Sequence, residues 1–189
     1  MKSSAGISDV RVSKAWHWPS EQQFWYADLI VAYRYLEWTD ERLDQARQYL
    51  ENGGSLVLEH SATWTKPEPS PEVAEIAGVG GFELFRHGDV KLNLVTREHP
   101  VCAGLPETIT LEDDEIYWPP TPLMENAIVL ATSLEDKGDR GITPRAAQPA
   151  VWCYELGGRG FLNAPDVLRE QALIHPDPFR KSFYISIVR

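Results

Sequence analysis

Cysteine is nearly absent from this chain. Its 189 residues hold two, Cys102 and Cys153, in neither CxxC nor zinc-ribbon spacing, so neither of those motif chemistries is on offer. They read as reduced, buried thiols, with one disulfide between them as the alternative. Positive charge is also in short supply: 18 Lys and Arg stand against 28 Asp and Glu, a net charge of −10, and the basic residues are scattered. Phosphate backbones and anionic membrane surfaces are held by clustered positive charge, so neither nucleic acid nor a membrane is an expected partner. Long hydrophobic runs are missing too. None approaches the ~20 residues of a membrane helix, and no early segment joins a basic start to the apolar stretch of a secretory signal. The expected location is cytoplasmic. No internal repeat is present, and the lone glycine cluster GVGGFE lacks the strand-before, helix-after setting of a phosphate loop.

Apolar material is plentiful, with 43% hydrophobic residues, 11% aromatics and seven Trp, and none of the depletion that marks disorder. The length fits one domain, expected over residues 9–189. The stretch that organises it runs from Asp28 to Ser61: DLIVAY, TDERLDQARQYLENGG and SLVLEHS. These read as a buried strand, a helix and a second buried strand, the smallest unit that builds a parallel sheet. Thr39 is a good N-cap, Asp40 and Glu41 occupy the first turn where the helix dipole favours acids, and Asn52-Gly53-Gly54 supplies a left-handed stop. Leu43, Ala46 and Leu50 fall on one face. A right-handed crossover brings YRYLEWT and EHSATW to the same edge of the sheet, where open α/β sheets bind their ligands. The fold class is therefore α/β.

Ahead of this unit, DVRVSKAW alternates as a short strand, and HWPSEQQFWYA reads as a packed loop or short helix whose Trp16, Trp18 and Trp25 serve packing. After it, TKPEPSP holds three prolines and stays irregular. PEVAEIAG is a short helix, VKLNLV (90–95) a strand and EHPVCAGLP a turn-rich link. ITLEDDEIYWPP extends with Asp113 and Glu115 on one side and Glu112 and Asp114 on the other, and NAIVLATS is a buried strand. LEDKGDRGITPRAAQ is a solvated loop. AVWCYE, GGRG and FLNAP form a hairpin turning at Gly157-Gly158. DPFRKSFYISIVR closes as a helix, because Phe179, Phe183 and Ile187 recur every four residues.

His60 ends a buried strand at the rim, beside Glu59 and Ser61. That position favours a functional imidazole over a backbone-bonded structural one. Ser61 is not an elbow nucleophile, since LEHSATW lacks the glycines of G-x-S-x-G. The acidic run Glu112 to Glu115 is either a solvated face or, drawn inward by Ile116, Tyr117 and Trp118, the source of a carboxylate that needs a cation. His60 and Glu115 are accordingly expected to meet in one pocket. Taken singly, His87 and His99 are surface or turn residues; as a set, His60, His87 and Glu115 carry donors suited to Zn²⁺ or a similar divalent metal ion.

In chain order, GGSLVLEHS, then Gly80-Gly81-Phe82 with His87, EHPVCAGLP, DDEIY and AVWCYELGGRG resemble the ThuA-like (trehalose-utilisation) family, whose fold is similar to that of class I glutamine amidotransferases. The resemblance covers the chain from about Asp28 onward. It implies a flavodoxin-like domain of bacterial carbohydrate utilisation: an open, mostly parallel sheet with helices on both faces. By position, His60 matches the family's histidine after the GG-strand, His87 and His99 its two later histidines, and Glu115 with Tyr117 its D-E-x-Y element. Position 60 lies about where amidotransferase-like folds place a nucleophilic Cys, so with His there glutaminase chemistry is not expected. Two features depart from the pattern. Ala164 and Pro165 stand where the family has a Gly-His pair, and its opening strand and helix are not seen before Asp9. The sheet is therefore expected to lack its first strand-helix unit, and the chain to be a trimmed domain. The implied function is to bind or process a sugar-derived small molecule, with His60 and Glu115 as the acid/base pair. Tyr35, Trp38, Ser61, Tyr117 and Trp118 would contact the ligand, the two tryptophans by stacking. The alternative is a non-catalytic sensor or assembly domain, and a homo-oligomeric state stays open.

Overall fold

A computed structural model describes residues 11–138, 144–156, 159–163 and 183–187. Strand β1 (Arg11–Ala15) and the short helix α1 (Glu21–Tyr26) precede β2 (Leu29–Ala32), α2 (Asp40–Glu51) and β3 (Ser55–Leu58). Helix α1 starts at a capping box between Ser20 and Gln23, which satisfies two backbone donors reciprocally. Helix α2 starts at Thr39, whose hydroxyl accepts from the Arg42 N–H, and it buries Leu43, Ala46, Tyr49 and Leu50. It stops before Gly53, at φ 96°. Helix α3 (Pro71–Ala77) is capped by Ser70 and ends at Gly78, φ 77°. A Cβ there would stand 2.8 Å from the Cβ of Tyr154, so the turn and the close approach both require glycine.

From here on the described chain is strand: β4 (Phe82–Leu94), β5 (Thr108–Pro120), β6 (Ile128–Glu135), β7 (Ala146–Leu156), β8 (Arg159–Asn163) and β9 (Phe183–Ile187). The sheet order is β1-β9-β2-β3-β8-β7-β6-β4-β5. Pairing is parallel from β1 to β8 along that order and antiparallel from β8 to β5. The sheet is therefore mixed, which corrects the expectation of an open, mostly parallel, flavodoxin-like sheet with helices on both faces. A parallel connection needs a crossover of about a dozen residues or more, usually helical. Among the described residues, no α-helix follows α3, and the links between β4, β5, β6 and β7 produce antiparallel neighbours instead. All three helices pack against the same core.

β1 and α1 stand ahead of β2, where DVRVSKAW and HWPSEQQFWYA lead to it. Two further expectations change. Residues Phe183–Ile187 are a parallel strand between β1 and β2 rather than part of a helix; in FYISI, Phe183, Ile185 and Ile187 also recur at period two, and β-branched residues favour that outcome. The strand expected at 90–95 begins at Phe82, so His87 lies within a strand and not in a loop. The Gly157-Gly158 turn, Ala164-Pro165 and the closing segment around Phe179 lie outside the described residues.

Two cores flank the sheet. The first joins α2 and α3 to β2, β3 and β7; in it Trp152 is 1% exposed and its indole N–H donates to the Ala77 carbonyl at 2.9 Å, fixing the end of α3 to β7. The second is formed by β4, β5, β6 and β7 and contains Cys102 and Cys153 as free thiols. Burial pushes the Cys153 thiol up to about 12, and a thiol that keeps its proton is a poor nucleophile.

The ribbon of β4 and β5 positions the candidate site. β4 pairs with β6 only at Asn93 and Leu94, so the other end of the ribbon is free to curve. The register shifts between Gly88 and Val90, with Gly88 at φ 130° and Asp113 at φ 56°. A bulge of this kind bends and twists a strand pair, and the ribbon's end packs Phe82 on Trp152 at 6.1 Å between ring centroids. A buried ion pair holds the curve. Glu135, 2% exposed, accepts from Arg86 Nε at 2.7 Å, from Arg86 Nη2 at 2.8 Å and from the Ser133 hydroxyl at 2.6 Å. Arg86→Met leaves that carboxylate buried without its cation and should cost about 3–5 kcal/mol, whereas Arg86→Met combined with Glu135→Leu should recover most of the loss. Urea denaturation of both variants measures this; equal losses would show that the carboxylate is not the group in need.

Candidate functional site

β3 ends at Leu58, and the N–H of buried Glu59 continues the ladder to the Ala32 carbonyl at 2.8 Å. His60 then turns at φ 54° and opens a 3₁₀ turn, His60–Thr63. Holding a non-glycine residue in this left-handed region costs about 1–3 kcal/mol, although histidine is among the residues enriched there. Three hydrogen bonds secure the turn: Ala62 N–H to the Glu59 carbonyl at 3.1 Å, Trp64 N–H to the Ser61 carbonyl at 3.1 Å, and the Trp38 indole N–H to the Ala62 carbonyl at 3.1 Å.

β5 supplies the partners. Beyond the bulge, successive side chains alternate between faces: Ile116 and Trp118 enter the second core, while Glu115 and Tyr117 meet His60. His60 Nε2 lies 3.0 Å from Glu115 Oε2. The Tyr117 hydroxyl donates to the same carboxylate oxygen and lies 3.2 Å from His60 Nδ1 and 3.4 Å from Nε2. Ser61 Oγ is 3.1 Å from Nδ1. An ionised carboxylate only accepts, so its contact assigns a proton to Nε2 and leaves Nδ1 to accept from Ser61. Burial first, then the hydrogen bond to Glu115 and the nearby negative charge of Glu115 and Asp114, push the Tyr117 phenol well above its ordinary value. It remains a neutral donor at physiological pH. The side chains of His60 and Glu115 each stay 28% exposed, within reach of a ligand.

Aromatic rings border this cluster. The Tyr33 ring lies 5.4 Å from that of His60, Trp64 lies 5.0 Å from Tyr117, and Phe85 lies 5.7 Å from Trp64. Phe85 is 61% exposed, an apolar face beside polar groups. None of these three was singled out from sequence. Tyr33 directly follows β2 and Trp64 closes the EHSATW turn, both legible positions; Phe85 stands opposite Tyr117 in the β4–β5 ladder, which only the pairing reveals.

Of the residues expected here, His60, Ser61, Glu115 and Tyr117 come together. Trp118 does not: it is 4% exposed in the second core, with its indole N–H on the Asp136 carbonyl, because a strand sends neighbours to opposite faces. Trp38 is half-buried and braces the turn. Tyr35 is 41% exposed, with the Lys66 ammonium 5.4 Å above its ring. His87 lies opposite Glu115 in the ladder, but its Nδ1 is 3.3 Å from Asp113 Oδ1. His99 caps the turn Pro100–Cys102 by accepting from the Val101 N–H. Among the described residues no three His, Cys, Asp or Glu side chains converge as metal ligands, so the set His60, His87 and Glu115 does not fit an ion, and no chemical step is assigned to one. Two hollows among the described residues, of about 620 and 320 Å³, lie at the amino ends of β2 and β3 and at the carboxyl end of β2; neither is lined by His60.

Residues 3–166 match the family model ThuA, described as trehalose utilisation. A ThuA-like protein from Bacteroides uniformis superposes with a TM-score of 0.57 at 24% identity, over 72% of this chain and 58% of that one. One from Parabacteroides merdae does so with a TM-score of 0.56 at 24% identity, over the same 72% and 58%. A Salmonella typhimurium protein described as cytoplasmic gives 0.51 at 14%, over 75% of this chain and 61% of that one. At these identities the likeness is one of fold. The chain thus spans 58% of the length of the two ThuA-like structures. No curated protein matches it.

Because the folded protein holds the Tyr117 proton more tightly than the unfolded chain does, the stability this contributes is complete below about pH 10 and is lost as the pH rises through the raised folded value. Tyr117→Phe lacks that proton and should lose stability less steeply than the parent between about pH 9.5 and 11.5. Urea midpoints recorded across that range measure the difference, and parallel curves would contradict it.

Proposed function

The chain belongs to the ThuA (trehalose utilisation) family, and on that premise we propose that it binds a sugar-derived small molecule at the carboxyl end of β3 and transfers a proton through His60. The observation that carries this reading is the His60–Glu115–Tyr117 cluster, assembled from two distant segments beside an exposed aromatic wall. Glu115 holds the Nε2 proton and so fixes the ring and its tautomer. Nδ1, facing the Ser61 hydroxyl, is then the basic lone pair, and protonated it becomes the acid. The Tyr117 hydroxyl, whose one proton goes to Glu115, presents its oxygen as an acceptor for a ligand hydroxyl. Phe85 and Trp64 supply the apolar face on which a sugar ring stacks, the role that buried Trp118 cannot fill. Action in the cytoplasm belongs to the same proposal; among the described residues no helix is long and apolar enough to cross a membrane.

Oxidised and unmodified disaccharides form the test panel, with binding followed by calorimetry and conversion by chromatography. His60→Asn and Glu115→Gln should each lower turnover by about 10²–10⁴ while affinity changes little. Phe85→Ala should weaken affinity with a smaller effect on rate. A parent rate retained by His60→Asn would overturn the proton-transfer role, and failure of every disaccharide to bind would overturn the ligand class.

A further inference from the structure

The hollow of about 320 Å³ at the carboxyl end of β2 has an uneven charge. His17, Arg34 and Arg42 line it, against a single acid, Glu37, in a chain whose net charge is −10. We propose that it binds a small molecule bearing a carboxylate or phosphate group. The inference stands apart from the sugar reading of the His60 cluster.

Arg42 is held ready for such a group. Its Nη1 donates to the Glu37 carbonyl at 2.6 Å, and its guanidinium sits 5.4 Å from the centre of the Trp18 ring. Trp18 is itself fixed, with its indole N–H on the Gln45 side chain and its ring edge-on to Trp38 at 5.5 Å. Stacking a guanidinium on an immobile indole sets the direction of its remaining donors before a ligand arrives. Among the described residues, Arg42 Nε and Nη2 have no hydrogen-bond partner. Arg34 is less committed still: its hydrogen bond to the Trp16 carbonyl is long, 3.4 Å, and among the described residues it makes no ion pair. Two guanidinium forks with donors to spare match the oxygens of a carboxylate or phosphate.

Trp18, the half-exposed Tyr35 ring and buried Leu36 add apolar lining beside these polar groups, the combination by which a site orients a small molecule. The hollow's position past the end of a parallel strand is where α/β sheets hold ligands. The one local acid bears on the same point. Glu37 Oε2 is 3.4 Å from Arg42 Nη1 with its side chain 72% exposed, so it competes for Arg42 with any incoming anion and leaves Arg34 free.

Titration of the full chain with inorganic phosphate, glucuronate and glucose 6-phosphate, followed by calorimetry at low ionic strength, tests the site. Saturable binding is expected, weakened about tenfold by Arg34→Gln, which removes an exposed cation and leaves the core untouched. Glu37→Gln should tighten it several-fold by removing the competitor, a gain that a damaged fold does not produce. Tighter binding of glucuronate or of glucose 6-phosphate identifies the group as a sugar acid or a sugar phosphate. Absence of saturation by all three anions, or affinities unchanged in either variant, would overturn the proposal.

Discussion

A strand buried between two neighbours cannot continue past the edge of its sheet without turning, and here the residue that turns is His60, at φ 54°. The conformation is unfavourable for a side chain with a Cβ, and it persists because its surroundings over-determine it. Glu59 is still in the ladder through Ala32, the 3₁₀ turn closes behind it, and Trp38 holds the Ala62 carbonyl. With its backbone committed, the imidazole stands at the strand end where β5 can reach it. Every polar contact between His60 and the β5 residues depends on that turn.

The other half of the site depends on a break in regularity of a different kind. A flat ribbon of β4 and β5, attached to β6 only at its base, would carry Glu115 and Tyr117 away from the parallel strands. The bulge at Gly88 and Asp113 bends it, and the Arg86–Glu135 pair and the Phe82–Trp152 contact hold the bend. The mixed sheet thus serves the site directly. Its parallel part provides a strand end with an open rim, and its antiparallel part provides a long arm that returns over that rim. A uniformly parallel sheet has no such arm.

What could be foreseen from the residues follows the range of the interactions involved. Helix α2 between β2 and β3 was legible because caps, a glycine stop and a single apolar face are local signals, and the strand-end position of His60 followed from them. The meeting of His60 with Glu115 was legible more indirectly, as the need of an inward carboxylate for a partner. The pairing of the later strands was not, because antiparallel and parallel neighbours share the same alternation and differ only in the links between them. Trp118 is expected on the rim with His60 as a stacking residue, although strand alternation sends it to the face opposite Tyr117 and into the second core. Phe85 gained its place through cross-strand register, and His87 turned to Asp113 once the bulge had reset the ribbon. In FYISI two periods coexist, and tertiary pairing chose the shorter.

The meeting of the β3 turn with the β5 ribbon can be measured without knowledge of any ligand, by a double-mutant cycle on folding stability with His60→Asn and Glu115→Ala. Asn tolerates the left-handed backbone, so the substitution removes the imidazole and keeps the turn. If the two side chains touch as described, the paired variant should differ from the sum of the single ones by about 0.5–3 kcal/mol. Additivity to within about 0.3 kcal/mol would mean that the turn and the ribbon do not meet.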